Sequence, residues 1–147
     1  KKHGKFVRWH ANGQKYLEGN YKDGKPYGEF EGWHESGEKS FEDEFKDGKR
    51  DGELEGWYEN GQKSYRDEWK DGSLIDSVTW KPNGEKSSEV IDGNGLSVLW
   101  HESGQKSLET NWKDGRRHGT SSYWNEDGKL IRATTYKNGE KISEKEF

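Results

Sequence analysis

The residues able to ligate a metal or move a proton are five histidines, His3, His10, His34, His101 and His118, and 29 aspartates and glutamates. His10, His34 and His101 each directly follow a tryptophan. If each belongs to its own two-strand unit, neighbouring copies lie roughly 10 Å apart, too far to share an ion. They read as column residues rather than ligands, and no metal site is expected. The carboxylates recur in the same way. Glu42, Glu44, Glu68 and Glu109 fall opposite the aromatic face, with Lys39, Lys63 and Lys106 close in the repeat. General acid–base catalysis needs two groups in one site whose environments push their pKa values apart. A repeated column supplies several similar sites instead, and reads as cross-strand charge pairs contributing about 0.2–1 kcal/mol each. No Gly-x-Ser-x-Gly elbow occurs, and the glycines follow turn spacing rather than a phosphate loop. No catalytic residue and no cofactor is expected, so the chain reads as a non-enzyme.

The eight tryptophans offer a different chemistry. A row of rings either packs a core or, if exposed, stacks on sugars. The Gly56-Trp57-Tyr58 segment resembles aromatic cell-wall-binding repeats, but the other units lack such doubled aromatics. Core packing is the expectation, with glycan binding as the alternative.

The elements that position these residues repeat. Trp9, Trp33, Trp57, Trp80, Trp100 and Trp124 each precede, by four residues, a glycine: Gly13, Gly37, Gly61, Gly84, Gly104 and Gly128. A second aromatic, Tyr21, Phe45, Trp69, Trp112 or Tyr136, closes most units before a further glycine turn. Units begin near Gly4, Gly28, Gly52, Ile75, Gly95 and Gly119. The fourth, residues 75–94, is shorter and has Val90-Ile91 where the others close on an aromatic. A period of this size marks a repeat architecture. Phe41 and Phe45 alternate with Glu42 and Glu44, the period of a half-buried strand. The expected fold is all-β: six tandem β-hairpins in an elongated, twisted antiparallel sheet, one domain over 1–147. Expected core residues are the six tryptophans above with Phe45, Trp69, Trp112 and Tyr136.

Turn chemistry assigns the faces. A three-residue Glu59-Asn60-Gly61 loop with left-handed Gly61 would put Trp57 on the side of Tyr65 and Trp69. The Lys-Asp-Gly turns can be of the same type. On the other, nominally polar face the first three units carry Phe6, Phe30 and Leu54, with Tyr16 and Tyr58 nearby. The last three carry Ser77, Ser97 and Ser121. Either this apolar stripe contacts a partner, or the sheet curls there and buries both faces.

Composition narrows the classes. Leu, Ile, Val and Phe number only 20 of 147 residues, but net charge is −4 and 14% of the chain is aromatic, so a thin aromatic core is expected rather than disorder. The mildly acidic balance argues against nucleic acid. No apolar run is long enough for a transmembrane helix. There is no cysteine, hence no disulfide or thiolate site. The Lys1-Lys2-His3 start and the lack of Met read as a processed or trimmed product, cytoplasmic or, where a signal has been removed, of the cell envelope.

Gly52-Glu-Leu-Glu-Gly-Trp-Tyr-Glu-Asn-Gly-Gln-Lys-Ser-Tyr65, followed by Glu68-Trp-Lys-Asp-Gly72, resembles the MORN-variant repeat of bacterial proteins, and the likeness runs from Gly4 to about Gly139. The resemblance implies a β-hairpin repeat without enzymatic residues, in a family often labelled antitoxin components. The expected function is a scaffold that binds a protein, in an antitoxin, immunity or cell-envelope role.

Overall fold

The computed structural model describes residues 1–147, and every regular element in it is a strand. In chain order these are β1 (Gly4–Trp9), β2 (Lys15–Lys22), β3 (Lys25–Trp33), β4 (Lys39–Lys46), β5 (Lys49–Arg50), β6 (Gly52–Trp57) and β7 (Lys63–Lys70). They continue as β8 (Ser73–Trp80), β9 (Lys86–Ile91), β10 (Asn94–Trp100), β11 (Lys106–Lys113), β12 (Arg116–Trp124), β13 (Leu130–Lys137) and β14 (Glu140–Glu146). All belong to one 14-stranded antiparallel sheet whose spatial order is the chain order, the two-residue β5 being a short extension paired to β4.

Two turn types alternate. At Glu59-Asn60-Gly61 the Tyr58 N–H donates to the Gln62 carbonyl and the Gly61 N–H to the Tyr58 carbonyl, both at 2.9 Å. Gly61 has φ +81°, so this is the three-residue loop the sequence predicts. The Asp-Gly turns differ from expectation. Asp71 (φ 48°) and Gly72 (φ 80°) are both left-handed, and Lys70 pairs directly with Ser73. That is a two-residue type I′ loop, whose twist matches that of the strands it joins, with Asp at a position it tolerates better than most residues.

The face assignment of the tryptophans is corrected by a β-bulge. Gly56 lies opposite Tyr65, yet Trp57 lies opposite Lys63, so Ser64 is an unpaired extra residue. A side chain on Gly56 would run into the Tyr65 ring, which fixes both on one face. Trp57, the next residue, therefore points to the other face, beside Lys63 and Glu55. The same shift recurs at each tryptophan, leaving Tyr16, Ser40, Ser87, Ser107 and Ile131 as the extra residues. The loop has the length expected, and the bulge at Ser64, beyond the Trp57↔Lys63 pair, reverses the consequence. Trp33, Trp57, Trp80, Trp100 and Trp124 are half-buried on the charged face, and Trp9 is 60% exposed rather than core.

The core lies on the opposite face, and Phe6, Phe30 and Leu54 belong to it. Phe6, Tyr21, Phe30 and Phe45 form an edge-to-face ladder with ring centroids 5.9, 5.7 and 5.1 Å apart in that order. Arg50 then bridges Phe45 and Trp69, its guanidinium 6.0 and 5.3 Å from the two rings. Trp69 meets Trp112 edge-on at 5.7 Å. These two stand on β7 and β11, four strand spacings or roughly 19 Å apart in a flat sheet. The sheet must therefore curl over this face. The crease is the shortened fourth unit, where β9 and β10 share only Asn94↔Ile91 and Gly95↔Val90. Leu74 and Val90, each 1% exposed, fill it, and the Leu74 N–H reaches across to the Gly115 carbonyl at 3.0 Å.

Neighbouring units are also tied at both edges of the sheet. His10 Nε2 donates to the Trp33 carbonyl at 2.8 Å, His34 to Trp57 at 2.9 Å, and His101 to Trp124 at 2.8 Å. The Tyr58 hydroxyl takes the same role toward Trp80 at 2.7 Å. On the far edge the turn glycines Gly24, Gly48, Gly72 and Gly139 donate to Lys2, Pro26, Arg50 and Arg117. Tyr58→Phe, which leaves the Trp80 carbonyl without its donor, should lower the unfolding free energy by about 1–3 kcal/mol in urea titrations. An unchanged midpoint would show that this inter-unit bond adds nothing.

Candidate binding cleft

The curl places β6–β8 opposite β10–β12 and encloses a cleft between them. Its inner part, about 210 Å³, is lined by Leu54, Tyr65, Trp69, Leu99, Leu108 and Trp112, with Arg50, Asp67, Arg117 and small hydroxyl residues among them. Its outer part, about 340 Å³, opens at the edge where the three-residue loops lie. There Trp57, Tyr58, Tyr65, Leu99 and Trp100 meet Glu59, Glu102 and Glu126, with Ser64, Ser107, His34 and His101 behind. Tyr65 and Leu99 line both parts, so the two adjoin.

Strand register determines what faces inward. The column that begins with Phe6, Phe30 and Leu54 continues as Ser77, Ser97 and Ser121, paired across to Gly19, Asp43, Asp67, Val90, Thr110 and Thr134. The change from Phe to Ser follows the bend, because the inside of a crease has less room. Ser77 is buried and donates to Asp67 at 2.6 Å, and Ser97 accepts from the Trp112 indole at 3.0 Å. The stripe that sequence offers as a contact surface is therefore not an open one. Phe30, Leu54 and Tyr58 are buried, Phe6 is half-buried against Tyr21, and Tyr16 stands apart on the exposed surface, tilted on His10.

Two carboxylates are buried near Arg50, and of these Asp67 lines the cleft. Asp43 is 6% exposed, pairs with the Arg50 guanidinium at 2.9 Å and leaves its Oδ1 without a partner. Burial holds its pKa above the ordinary carboxylate value, against the pull of Arg50. Asp67 is raised for the same reason, opposed by the Ser77 hydroxyl and by Arg50. The Trp69 indole N–H, buried, lies near Asp67 without closing a proper hydrogen bond. Burial also pushes the Tyr65 hydroxyl to about 12, with Asp67 adding to it, and Tyr58 to about 12, with Glu102 adding to it. Both phenols stay neutral donors through the physiological range.

The outer surface of the sheet is strongly acidic. Glu29 stands opposite Glu44, Glu31 opposite Glu42, and Glu53 opposite Glu68. Directly opposed like charges are unfavourable, and Lys39 bonding both Glu31 and Glu42, with Arg66 on Glu53, relieves part of this. No three His, Asp or Glu side chains converge as a metal would require, and one ring nitrogen, Nε2, of each of His10, His34 and His101 is engaged on a backbone carbonyl. Sequence reasoning missed the cleft because its walls come from units two apart. The signal that could have found the faces was the repeated Lys-Ser pair at 39–40, 63–64, 86–87 and 106–107, which marks the bulge.

The MORN repeat variant family model matches residues 2–23, 50–71 and 117–138. Each match starts ahead of a unit's first glycine and ends at the Asp or Asn of its closing turn, in one repeat register. No curated protein matches the chain.

The raised Asp67 sets a pH dependence. A folded pKa above the ordinary 3.8 means that the carboxyl loses its proton later in the folded protein than in the unfolded chain. Stability from this group is therefore greatest below the ordinary value and falls as pH rises through the folded one. Asp67→Asn, which keeps an oxygen for the Ser77 hydroxyl, should be more stable than the parent at neutral pH and lose that advantage near pH 4. Urea melts at the two pH values measure it. An equal advantage at both would show that the buried charge is not its source.

Proposed function

We propose that this chain, a MORN-variant repeat protein, is a non-catalytic scaffold that takes an extended segment of a partner protein into the cleft of its curled sheet. MORN repeats are in general protein- or membrane-binding modules. The observation that carries the protein reading is the cleft of two adjoining parts, apolar and aromatic along its inner walls, with the neutral Tyr65 phenol, several hydroxyl side chains and a carboxylate mouth. Aromatic walls with a few convergent polar groups are what peptide and small-ligand sites present. An anionic membrane surface is disfavoured by the opposed glutamates on the outer face and the net charge of −4. No helix of the protein is long and apolar enough to cross a membrane.

The glycan alternative needs free ring faces. Lysine ammonium groups lie over Trp33, Trp57, Trp100 and Trp124 at 5.5, 6.0, 5.1 and 5.7 Å, so these rings already hold cations. Trp9 alone in the column is largely open. A protein ligand fits the site better. An antitoxin or immunity role and an envelope role are narrower forms of the same reading, separated by whether the partner is a toxic enzyme or an envelope component.

Selection from a library of unstructured peptides, followed by calorimetry, tests the reading. Selected peptides should bind the parent and lose at least about tenfold in affinity to Leu108→Arg, which fills the inner cleft with a charge, while thermal melts show the variant folded. Peptides that bind the variant equally, or a chain that retains glycans or vesicles but no peptide, would refute it.

A further inference from the structure

The mouth of the cleft has a chemistry of its own. Glu59, Glu102 and Glu126 occupy one place in the repeat, the second residue after the tryptophan. Glu126 is contributed by the unit next to that of Glu102, whereas Glu59 comes from two units before and arrives only because the sheet curls. The Glu59 N–H bonds to Glu102 Oε1 across the gap, so the two loop tips touch. None of these three carboxylates is in an ion pair, and no Lys or Arg lines the mouth. The charge of Glu102 is felt as far as the Tyr58 hydroxyl.

Behind the carboxylates the mouth is lined by Tyr58, Tyr65 and Leu99, with Trp57 and Trp100 at its border. The two indoles already carry Lys63 and Lys81 on the charged face, and these lysines are kept out of the mouth by Glu55 at 3.1 Å and Glu85 at 3.6 Å. At the back is Ser64, the extra residue of its bulge, only 9% exposed. It lines the cleft and its hydroxyl makes no hydrogen bond, whereas the equivalent Ser87 is taken by the Trp100 indole at 2.7 Å. His34 and His101 do not compete for a cation, since each spends Nε2–H on a carbonyl.

Unpaired carboxylates at the rim, an apolar wall and a free, nearly buried acceptor behind suit a group with charge at its tip and an alkyl stem. We propose that the mouth binds a primary alkylammonium, the lysine side chain of a peptide lying in the cleft. The proposal rests on the protein-binding reading and specifies one anchor of the partner. Carboxylates attract such a cation while the apolar wall takes its stem, and the attraction strengthens where water is partly excluded. Arginine is longer and planar, and suits the single hydroxyl acceptor of Ser64 less well than an ammonium does.

The test uses the intact protein and the blocked peptide acetyl-Gly-Lys-Gly-amide, followed by its effect on the Trp57 and Trp100 indole N–H resonances. The lysine peptide should move both. The same peptide with acetylated lysine, which keeps the stem and loses the charge, should move neither. Glu102→Gln with Glu126→Gln, both at exposed loop positions, should weaken the lysine peptide at least about tenfold while melting as the parent does. Equal shifts from the acetylated peptide, or a response indifferent to the two substitutions, would overturn the proposal. Leu108→Arg separates the two readings. If the inner cleft binds no peptide, the lysine response at the mouth survives in that variant and in the parent alike. If the mouth proposal fails, library peptides still bind the parent and still lose affinity to Leu108→Arg.

Discussion

An extra residue in each hairpin governs the rest of this structure. Pairing Trp57 with Lys63 and Gly56 with Tyr65 leaves Ser64 without a partner, and a strand that gains one residue sends its next side chain to the other face. Because the shift recurs at every tryptophan, two separate columns of rings arise. The tryptophans lie among lysines and glutamates, where cation–π contacts hold them half-covered. Phe6, Tyr21, Phe30, Phe45, Trp69 and Trp112 form the ladder that excludes water. A chain with so few aliphatic residues cannot fill a two-layer core, and edge-to-face rings along one face of a curled sheet supply the burial instead.

Stacking then depends on what each unit offers the next. The ring after each tryptophan donates to the next unit's tryptophan carbonyl, and the turn glycine donates back on the far edge. In the fourth unit the clasping position is Lys81, which has no ring and instead places its ammonium over Trp100. In the sixth it is Asn125, whose side chain turns inward to accept from Asp127 and Lys129 in its own loop. The repeat is thus interrupted in the same unit that is shortened and weakly paired to β10. Loss of regularity there is what lets the two halves of the sheet approach, and the cleft is a consequence of that irregularity.

The cleft concentrates unlike groups that the flat repeat would have kept apart. Buried Asp43 and Asp67 share the influence of Arg50, which also spans the Phe45 and Trp69 rings. Such an arrangement strains stability, because desolvated carboxylates oppose folding at neutral pH. Groups that lower stability yet face a cleft are common where a protein binds something.

Much of this was legible in the residues themselves. The glycine spacing, the alternation of Phe41, Glu42, Glu44 and Phe45, and the Asn60-Gly61 loop depend on local backbone chemistry, and they specified an all-β hairpin array without any tertiary information. Local pattern also placed Phe45 and Trp69 on one face. It misassigned Trp57 and Phe30, since a bulge is a property of two strands in register and one strand cannot reveal it. The type I′ form of the Asp-Gly turns was likewise a matter of pairing between their flanks. Which residues line a site lay still further from the sequence. Glu59 and Glu102 are 43 residues apart, and in a flat array they would stand two units from one another. Only the curl at the short fourth unit joins them, and it depends on a long-range contact, Trp69 on β7 against Trp112 on β11, that no local propensity encodes.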